Sequence, residues 1–155
     1  MTQKIISQST LKKLSAKLHA RHRKIVFTNG AFDILHRGHV TYLEKAKTFG
    51  DVLIVAVNSD QSVKSYKSPD RPINPQADRM AVIAALGCVD YVVLFTEPTP
   101  LRLICVVKPD VLVKGADYKK SQIAGAKEVE SWGGKVKLVK LVPGRSSTRL
   151  IRLMK

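Results

Sequence analysis

Short runs of aliphatic and β-branched residues recur along the chain, and each is followed by a stretch with helical spacing. The runs are Lys24–Thr28, Asp51–Val57, Tyr91–Phe95, Val111–Lys114 and Val136–Leu141. Asp51-Val52-Leu53-Ile54-Val55-Ala56-Val57 is almost continuously apolar, which suits a strand covered on both faces. The stretches between the runs space their apolar residues for helices: Val40–Lys47 closing at Gly50, Gln76–Leu86 ended by Gly87, Pro100–Val107, Ser121–Trp132 before Gly133-Gly134, and Ser146–Met154. An amphipathic helix over about residues 8–22, carrying Leu11, Leu14 and Leu18 with Ser9 or Thr10 as its cap, precedes them. Strands separated by helices of this length pair in parallel through right-handed crossovers. The expected fold is α/β, a Rossmann-like doubly wound sheet of about five mainly parallel strands flanked by helices. The segment Lys64–Pro75, with Pro69, Pro72 and Pro75, reads as the one long irregular loop.

At 155 residues the chain fits one domain, a catalytic core over about residues 24–155 behind the N-terminal helix, and buries about two-thirds of its unfolded surface. No uncharged apolar run approaches the roughly 18 residues of a membrane span, and the start Met-Thr-Gln-Lys carries no secretory signal. Cys88 and Cys105 sit in apolar runs without metal-ligand spacing, so buried thiols in a reducing cytoplasm are expected. The net charge of +15 fits either a nucleic-acid binder or a site built for several phosphates with a basic surface. The positive residues are spread over the whole chain and no RNA-binding aromatic motif accompanies them, so no nucleic-acid partner is expected.

Ligands of a doubly wound sheet bind outside the carboxyl ends of its strands. That rule points to Asn29–His39, Asn58–Asp60, Phe95–Thr99 and Lys114–Tyr118. The first holds the densest chemistry: Asn29 and Gly30 end a strand, and His36-Arg37-Gly38-His39 open a helix. Gly30 lets backbone amides approach a polyphosphate, and the helix start offers free N–H groups and a positive dipole end. His36 and His39, three apart, share one side of the first turn, with Gly38 keeping the surface open. Two histidines make only half a zinc set, with no Cys or well-placed Glu to complete it, so phosphate is the better ligand and no protein metal site is expected. Imidazole N–H donors aimed at an α-phosphate would stabilise charge as pyrophosphate leaves.

The pattern Asn-Gly-x-Phe-Asp-x-x-His-x-Gly-His over Asn29–His39 resembles the signature of the HxGH nucleotidyltransferase superfamily, which includes cytidylyltransferases and adenylyltransferases. Gly50–Asp60, Arg71-Pro72-Ile73, Asp78-Arg79, Val89–Val92, Pro109–Tyr118 and Pro143–Thr148 extend the resemblance over residues 24–150. The combination is most similar to the adenylyltransferases of ADP-heptose synthesis, in their stand-alone form; in many bacteria they are the C-terminal half of a bifunctional kinase/adenylyltransferase. The resemblance implies transfer of AMP from ATP to a sugar 1-phosphate, D-glycero-β-D-manno-heptose 1-phosphate, for lipopolysaccharide core synthesis. Both substrates are small molecules, and Mg²⁺ would arrive bound through the triphosphate. Relatives of this type commonly dimerise, so the resemblance admits a homodimer.

His36 and His39 would then contact the triphosphate, and the Gly30-Ala31-Phe32 backbone would line the nucleotide site beside Asn29 and Gly38. Lys114, Gly115 and Asp117 would lie near ribose and base, and Ser146, Ser147 and Thr148 would offer hydroxyls and amides to the β- and γ-phosphates. Lys24, Lys64, Lys67, Arg71 and Arg79 are candidate phosphate clamps, with Lys64 and Lys67 either closing over the ligand or simply solvated. Asp33 either orients a histidine, meets substrate or caps a turn; Asp60 is functional or a helix cap. The chain departs from the heptose pattern at Ala31, Ala116 and Ser147. Glycerol-3-phosphate cytidylyltransferases, which use CTP, share the Phe-Asp and HxGH features and are the alternative within the superfamily.

Overall fold

The computed structural model describes residues 3–154; Met1, Thr2 and Lys155, part of the expected domain, lie outside them. Six strands form one parallel sheet in the order β1-β4-β3-β2-β5-β6. They are β1 (Ile5–Ile6), β2 (Ile25–Gly30), β3 (Val52–Asn58), β4 (Tyr91–Phe95), β5 (Val111–Gly115) and β6 (Lys135–Val139). The edge strand β1 was not expected: two residues are too few for a period, and only their pairing with Val92 and Val93 makes them a strand.

Seven α-helices cover the sheet: α1 (Gln8–Ala20), α2 (Arg37–Lys47), α3 (Asp60–Tyr66), α4 (Gln76–Ala85), α5 (Leu101–Val107), α6 (Ala126–Ser131) and α7 (Ser147–Met154). The alternation along each strand divides the core in two. Val26, Leu53, Val55 and Val57 face Tyr42, Leu43 and Ala46 of α2 and Met80, Ile83 and Ala84 of α4. Ile25, Phe27, Ile54 and Ala56 face Leu11 of α1, Leu103, Ile104 and Val107 of α5, and Val129 of α6. Burying each such aliphatic side chain stabilises the fold by about 1.5–3 kcal/mol, which makes these two layers the main source of stability.

Three expectations are corrected at the edges of elements. Helix α1 is capped by Ser7, whose Oγ accepts from Thr10 N, rather than by Ser9 or Thr10. The helix expected over 121–132 is a 3-10 turn at Lys120–Gln122 and then α6, because Gly125 between them adopts φ +85, where an L side chain is strained. The expected loop from Lys64 begins inside α3, which Ser59 starts by accepting from Ser62 N. Cys88 and Cys105 are free thiols, but Cys105 is exposed and Cys88 half-buried rather than buried.

The segment after α3 is held by Arg79, whose side chain is fully buried. Its Nε donates to the Asn74 carbonyl at 2.9 Å and Nη1 to that of Ala31 at 2.5 Å. Its Nη2 donates to the Asn58 carbonyl and the Asp60 carboxylate, both at 2.8 Å. The expectation of Arg79 as a phosphate clamp is therefore corrected: one guanidinium fastens the ends of β2 and β3 and the loop into α4. Removing one partner of such a buried network leaves the others unsatisfied, at about 3–5 kcal/mol. Arg79→Ala is expected to lower the unfolding free energy by about that amount in urea titrations, and Arg79→Lys, with no fork, to recover little of it.

Candidate active site

The sheet order places a reversal between β2 and β5. From β2 the chain moves outward through β3 and β4, then returns to β5 on the other side. Pairing of β2 with β3 is registered from Ile25–Val52 through Gly30–Val57, whereas pairing with β5 is registered only at Val26–Val111 and Phe27–Leu112. Beyond that point the two strands part. The Val113 carbonyl accepts instead from the hydroxyls of Thr28 and Tyr42, both at 3.0 Å. A cavity of about 490 Å³ opens there, lined by the ends of β2 and β5, the start of α2 and the start of α7. Its size falls within the range of about 300–1,000 Å³ common for small-molecule sites.

The turn after β2 carries local strain. Phe32 holds φ +48, and its ring folds back so closely that a Cβ on Gly30 would lie 3.0 Å from it. Gly30 is thus required for space rather than for a special backbone angle. His36 caps α2 in extended conformation, and His39 follows one turn later. The two imidazoles stack at 3.9 Å between centroids and 21° between planes, and Phe32 meets His39 edge-on at 5.3 Å. A Cβ on Gly38 would lie 2.9 Å from the His36 ring and 3.3 Å from Arg145 Cβ, so glycine is what lets this imidazole pack against the helix start.

Burial lowers the pKa of His39 to about 4, helped by His36 and Lys67 and opposed by the Ile34 carbonyl. Burial and then the Arg145 guanidinium lower His36 as well. Both rings are therefore neutral near pH 7. Besides Arg71 Nη2 behind the wall, the buried side-chain atoms without a hydrogen-bond partner among the described residues are Asn29 Oδ1, His36 Nδ1 and His39 Nδ1 on the cavity. Buried polar atoms normally find partners, so these three suit a polar ligand.

On the β5 side, burial lowers Lys114 to about 8, with Asp117 opposing. Its Nζ lies 3.5 Å from the Asn29 carbonyl and 5.0 Å from the centroid of the Tyr118 ring. A Cβ on Gly115 would collide with Asp117 Oδ1 and lie 3.2 Å from Leu141. Ser147 Oγ donates to the Ile34 carbonyl at 3.1 Å, and Ser146 Oγ accepts from Arg149 N at 3.1 Å. Ser147 thus seats α7 against the histidine loop and Ser146 caps the first turn of α7, while Thr148 makes no side-chain hydrogen bond among the described residues.

The cavity brings together Asn29, Gly30, Ala31, Phe32, Asp33, His36, Gly38, His39, Lys114, Gly115, Asp117, Ser146, Ser147 and Thr148 of the expected set. Asp60, Lys64, Arg71 and Arg79 stand off its wall. Asp60 starts α3 and pairs with Arg79, and Lys64 is exposed on the last turn of α3. Arg71 is buried, donating from Nε to Asp33 at 2.7 Å, while its Nη2 is buried without a partner among the described residues, so the guanidinium is only partly engaged. Burial alone would raise the Asp33 pKa, but amides of Asn74 and Ile73 and the Arg71 pair hold it below the usual carboxylate value. Of the roles left open for Asp33, the geometry supports capping: it binds the 71–74 loop to the turn after β2.

Sequence reading missed Tyr42, Tyr66, Pro100, Leu141 and Val142 on the wall. Tyr42 had a signal, lying three residues after His39 on the same helix face. Tyr66 depended on recognising α3, and Leu141 and Val142 follow β6 in irregular chain that only the tertiary fold brings near.

The lowered histidine pKa sets a pH window. The unfolded chain takes up a proton near the ordinary value of 6.5, whereas folded His39 stays neutral down to about 4. Stability is then full above 6.5 and falls as pH drops through this window. His39→Gln is expected to flatten that fall, measured as the difference in urea midpoint between pH 7.5 and pH 5.

Residues 27–152 match the family model described as Cytidylyltransferase-like. The chain is 55% identical over 142 residues to the bifunctional protein HldE of a Nitratiruptor species, covering 92% of this chain and 30% of that one. It is 53% identical over 151 residues to HldE of Vibrio cholerae, covering 97% of this chain and 32% of the relative. The chain thus spans about a third of the length of these curated relatives. Among solved structures, a lipopolysaccharide core biosynthesis protein from Thermoplasma volcanium superposes with a TM-score of 0.64 at 31% identity, over 77% of this chain and 97% of that one. Pantoate-beta-alanine ligase from Francisella tularensis shares the fold, with a TM-score of 0.65 at 19% identity over 93% of this chain and 68% of the ligase. With strand parting, glycine-supported histidine pair and polar cavity all inside the matched span, the chain belongs to the cytidylyltransferase-like family and is a nucleotidyltransferase.

Proposed function

We propose that the chain transfers AMP from ATP to a sugar 1-phosphate, D-glycero-β-D-manno-heptose 1-phosphate, giving ADP-heptose and pyrophosphate for lipopolysaccharide core synthesis in the cytoplasm. The observation that carries the transfer is the stacked, neutral pair His36–His39 at the mouth of a cavity closed by Lys114 and the start of α7. The similarity to HldE over nearly the whole chain supports the heptose substrate.

In this reading an oxygen of the sugar phosphate attacks the α-phosphorus in line. A new P–O bond forms as the bond to the β-phosphate oxygen breaks, and pyrophosphate leaves with the electron pair. Such chemistry needs positioning and charge stabilisation more than covalent help. Neutral His36 and His39 donate N–H bonds to phosphate oxygens, and the first amides of α2 and the Arg145 guanidinium add to them. Lys114 and Asp117, at the end of β5, take the nucleoside side. Lys67, Asn58, Tyr66 and Pro98 form the opposite wall, where the acceptor sugar phosphate fits.

Asp33 is committed to Arg71 and the 73–74 amides, so among the cavity's carboxylates only Asp117 keeps its oxygens clear of such bonds. Mg²⁺ is therefore expected on triphosphate oxygens, where it would neutralise charge on the leaving group.

The test is pyrophosphate release with ATP or CTP, each offered heptose 1-phosphate or glycerol 3-phosphate. ATP with heptose 1-phosphate is expected to be the fastest pair; preference for CTP with glycerol 3-phosphate would overturn the reading. His39→Ala is expected to lower turnover about a hundredfold or more, with the urea midpoint at pH 7.5 little changed. A fully active His39→Ala enzyme would refute the role given to the imidazole pair.

A further inference from the structure

Beside the main cavity lies a second groove of about 330 Å³, and His36 and Arg145 line both. Its remaining walls carry Arg37 from the first turn of α2 and Arg149 from α7, with Leu150 and Leu153 as an apolar flank. Arg37, Arg145 and Arg149 are all exposed, and none takes part in an ion pair among the described residues. Arg149 makes one side-chain hydrogen bond, 3.2 Å to the Gly144 carbonyl, which leaves most of its fork free.

Three guanidiniums around one groove with no neutralising carboxylate repel one another, and their summed field concentrates anions there. The guanidinium fork matches phosphate oxygens two at a time. At about 330 Å³ the groove has ample room for a small polyanion. The shared side chains give the two cavities a common boundary, and His36 Nδ1 is buried at that boundary without a partner. An anion released at the α-phosphorus beside His36 thus has a second basic surface within one side chain's reach.

We infer that this groove is a separate binding site for inorganic pyrophosphate, held by Arg37 and Arg149 after it leaves the reaction centre. The inference rests on nucleotidyl transfer in the main cavity but not on which sugar phosphate accepts the nucleotide. It makes pyrophosphate a ligand of the enzyme even when nucleotide is bound. Product inhibition is then of the mixed type against ATP rather than purely competitive.

The experiment is titration calorimetry of pyrophosphate, at fixed free Mg²⁺, into the whole chain with and without a saturating non-hydrolysable ATP analogue. Two pyrophosphate sites are expected without the analogue and one with it. Arg37→Gln, at an exposed residue with no protein partner, is expected to weaken the site that survives the analogue about tenfold, while analogue affinity and urea midpoint stay at wild-type values. Arg149→Gln serves as an independent second variant. Complete displacement of pyrophosphate by the analogue would mean that the groove takes only the nucleotide's own phosphate tail, and would overturn the proposal. Unchanged pyrophosphate affinity in both variants would overturn it equally. Neither outcome depends on turnover, so a different acceptor substrate would leave this test intact.

Discussion

The parting of β2 from β5 is the constraint on which the rest of the site depends. A parallel sheet that is wound first one way and then the other must have one place where neighbouring strands send their connections to opposite sides. Here the ladder stops after Phe27 and Leu112, and the freed Val113 carbonyl is satisfied by Thr28 and Tyr42 hydroxyls instead of by backbone. Those two bonds let the strands diverge without an unsatisfied acceptor in the core, where such a group costs about 1–3 kcal/mol. The divergence brings Asn29–Gly30 and Lys114–Gly115 to opposite banks of one crevice. Everything polar in the cavity is arranged around that gap.

A second layer of buried polar bonds fixes what stands above the gap. Arg79 ties the Ala31 carbonyl to the end of β3 and to Asn74, and Asp33 ties the same turn to Arg71 and the 73–74 amides. The turn from Ala31 to Asp33 is thus held from both sides, which a left-handed Phe32 requires, since that conformation costs a non-glycine residue about 1–2 kcal/mol. Of two arginines that look like phosphate ligands in the sequence, Arg79 gives all three nitrogens to this scaffolding and Arg71 gives its Nε. Charge of the right sign was legible at Arg71 and Arg79; depth was not. Nothing local distinguishes a guanidinium that reaches solvent from one drawn inward by four carbonyl and carboxylate oxygens from separate elements.

The same contrast separates the readable parts of the fold from the hidden ones. β3 could be read because a run from Val52 to Val57 is long, apolar and bounded by Gly50 and Asn58, so period and composition agree. β1 could not, because Ile5–Ile6 is a strand only by virtue of its neighbour. Helix α3 was hidden by its own polarity: Asp60-Gln61-Ser62-Val63-Lys64 offers one buried aliphatic residue, Val63, and its start signal is the single Ser59 cap. The β2–α2 turn was legible because its chemistry is contiguous. Much of the cavity's far wall was not, because Tyr66 ends a helix that was itself hidden, and Leu141 and Val142 lie in irregular chain after β6 with no sequence signal.

The glycines at the site add a final constraint, and it concerns side chains more than backbone. Gly30, Gly38 and Gly115 all have ordinary φ, yet a methyl group at each would strike the ring of Phe32, the ring of His36 or the carboxylate of Asp117. Each glycine therefore holds a neighbouring functional group against the backbone at close range. Alanine at any of the three would push that group out toward the ligand space rather than unfold the chain. This explains how burial can reach the imidazoles strongly enough to hold His39 neutral to about pH 4 while the cavity itself stays open. A neutral ring donates to phosphate without a competing counter-ion, and leaves the positive field to guanidiniums that cannot titrate. In the proposed transfer the labour would be divided in this way: glycine-packed histidines supply direction, and arginines at the rim supply charge.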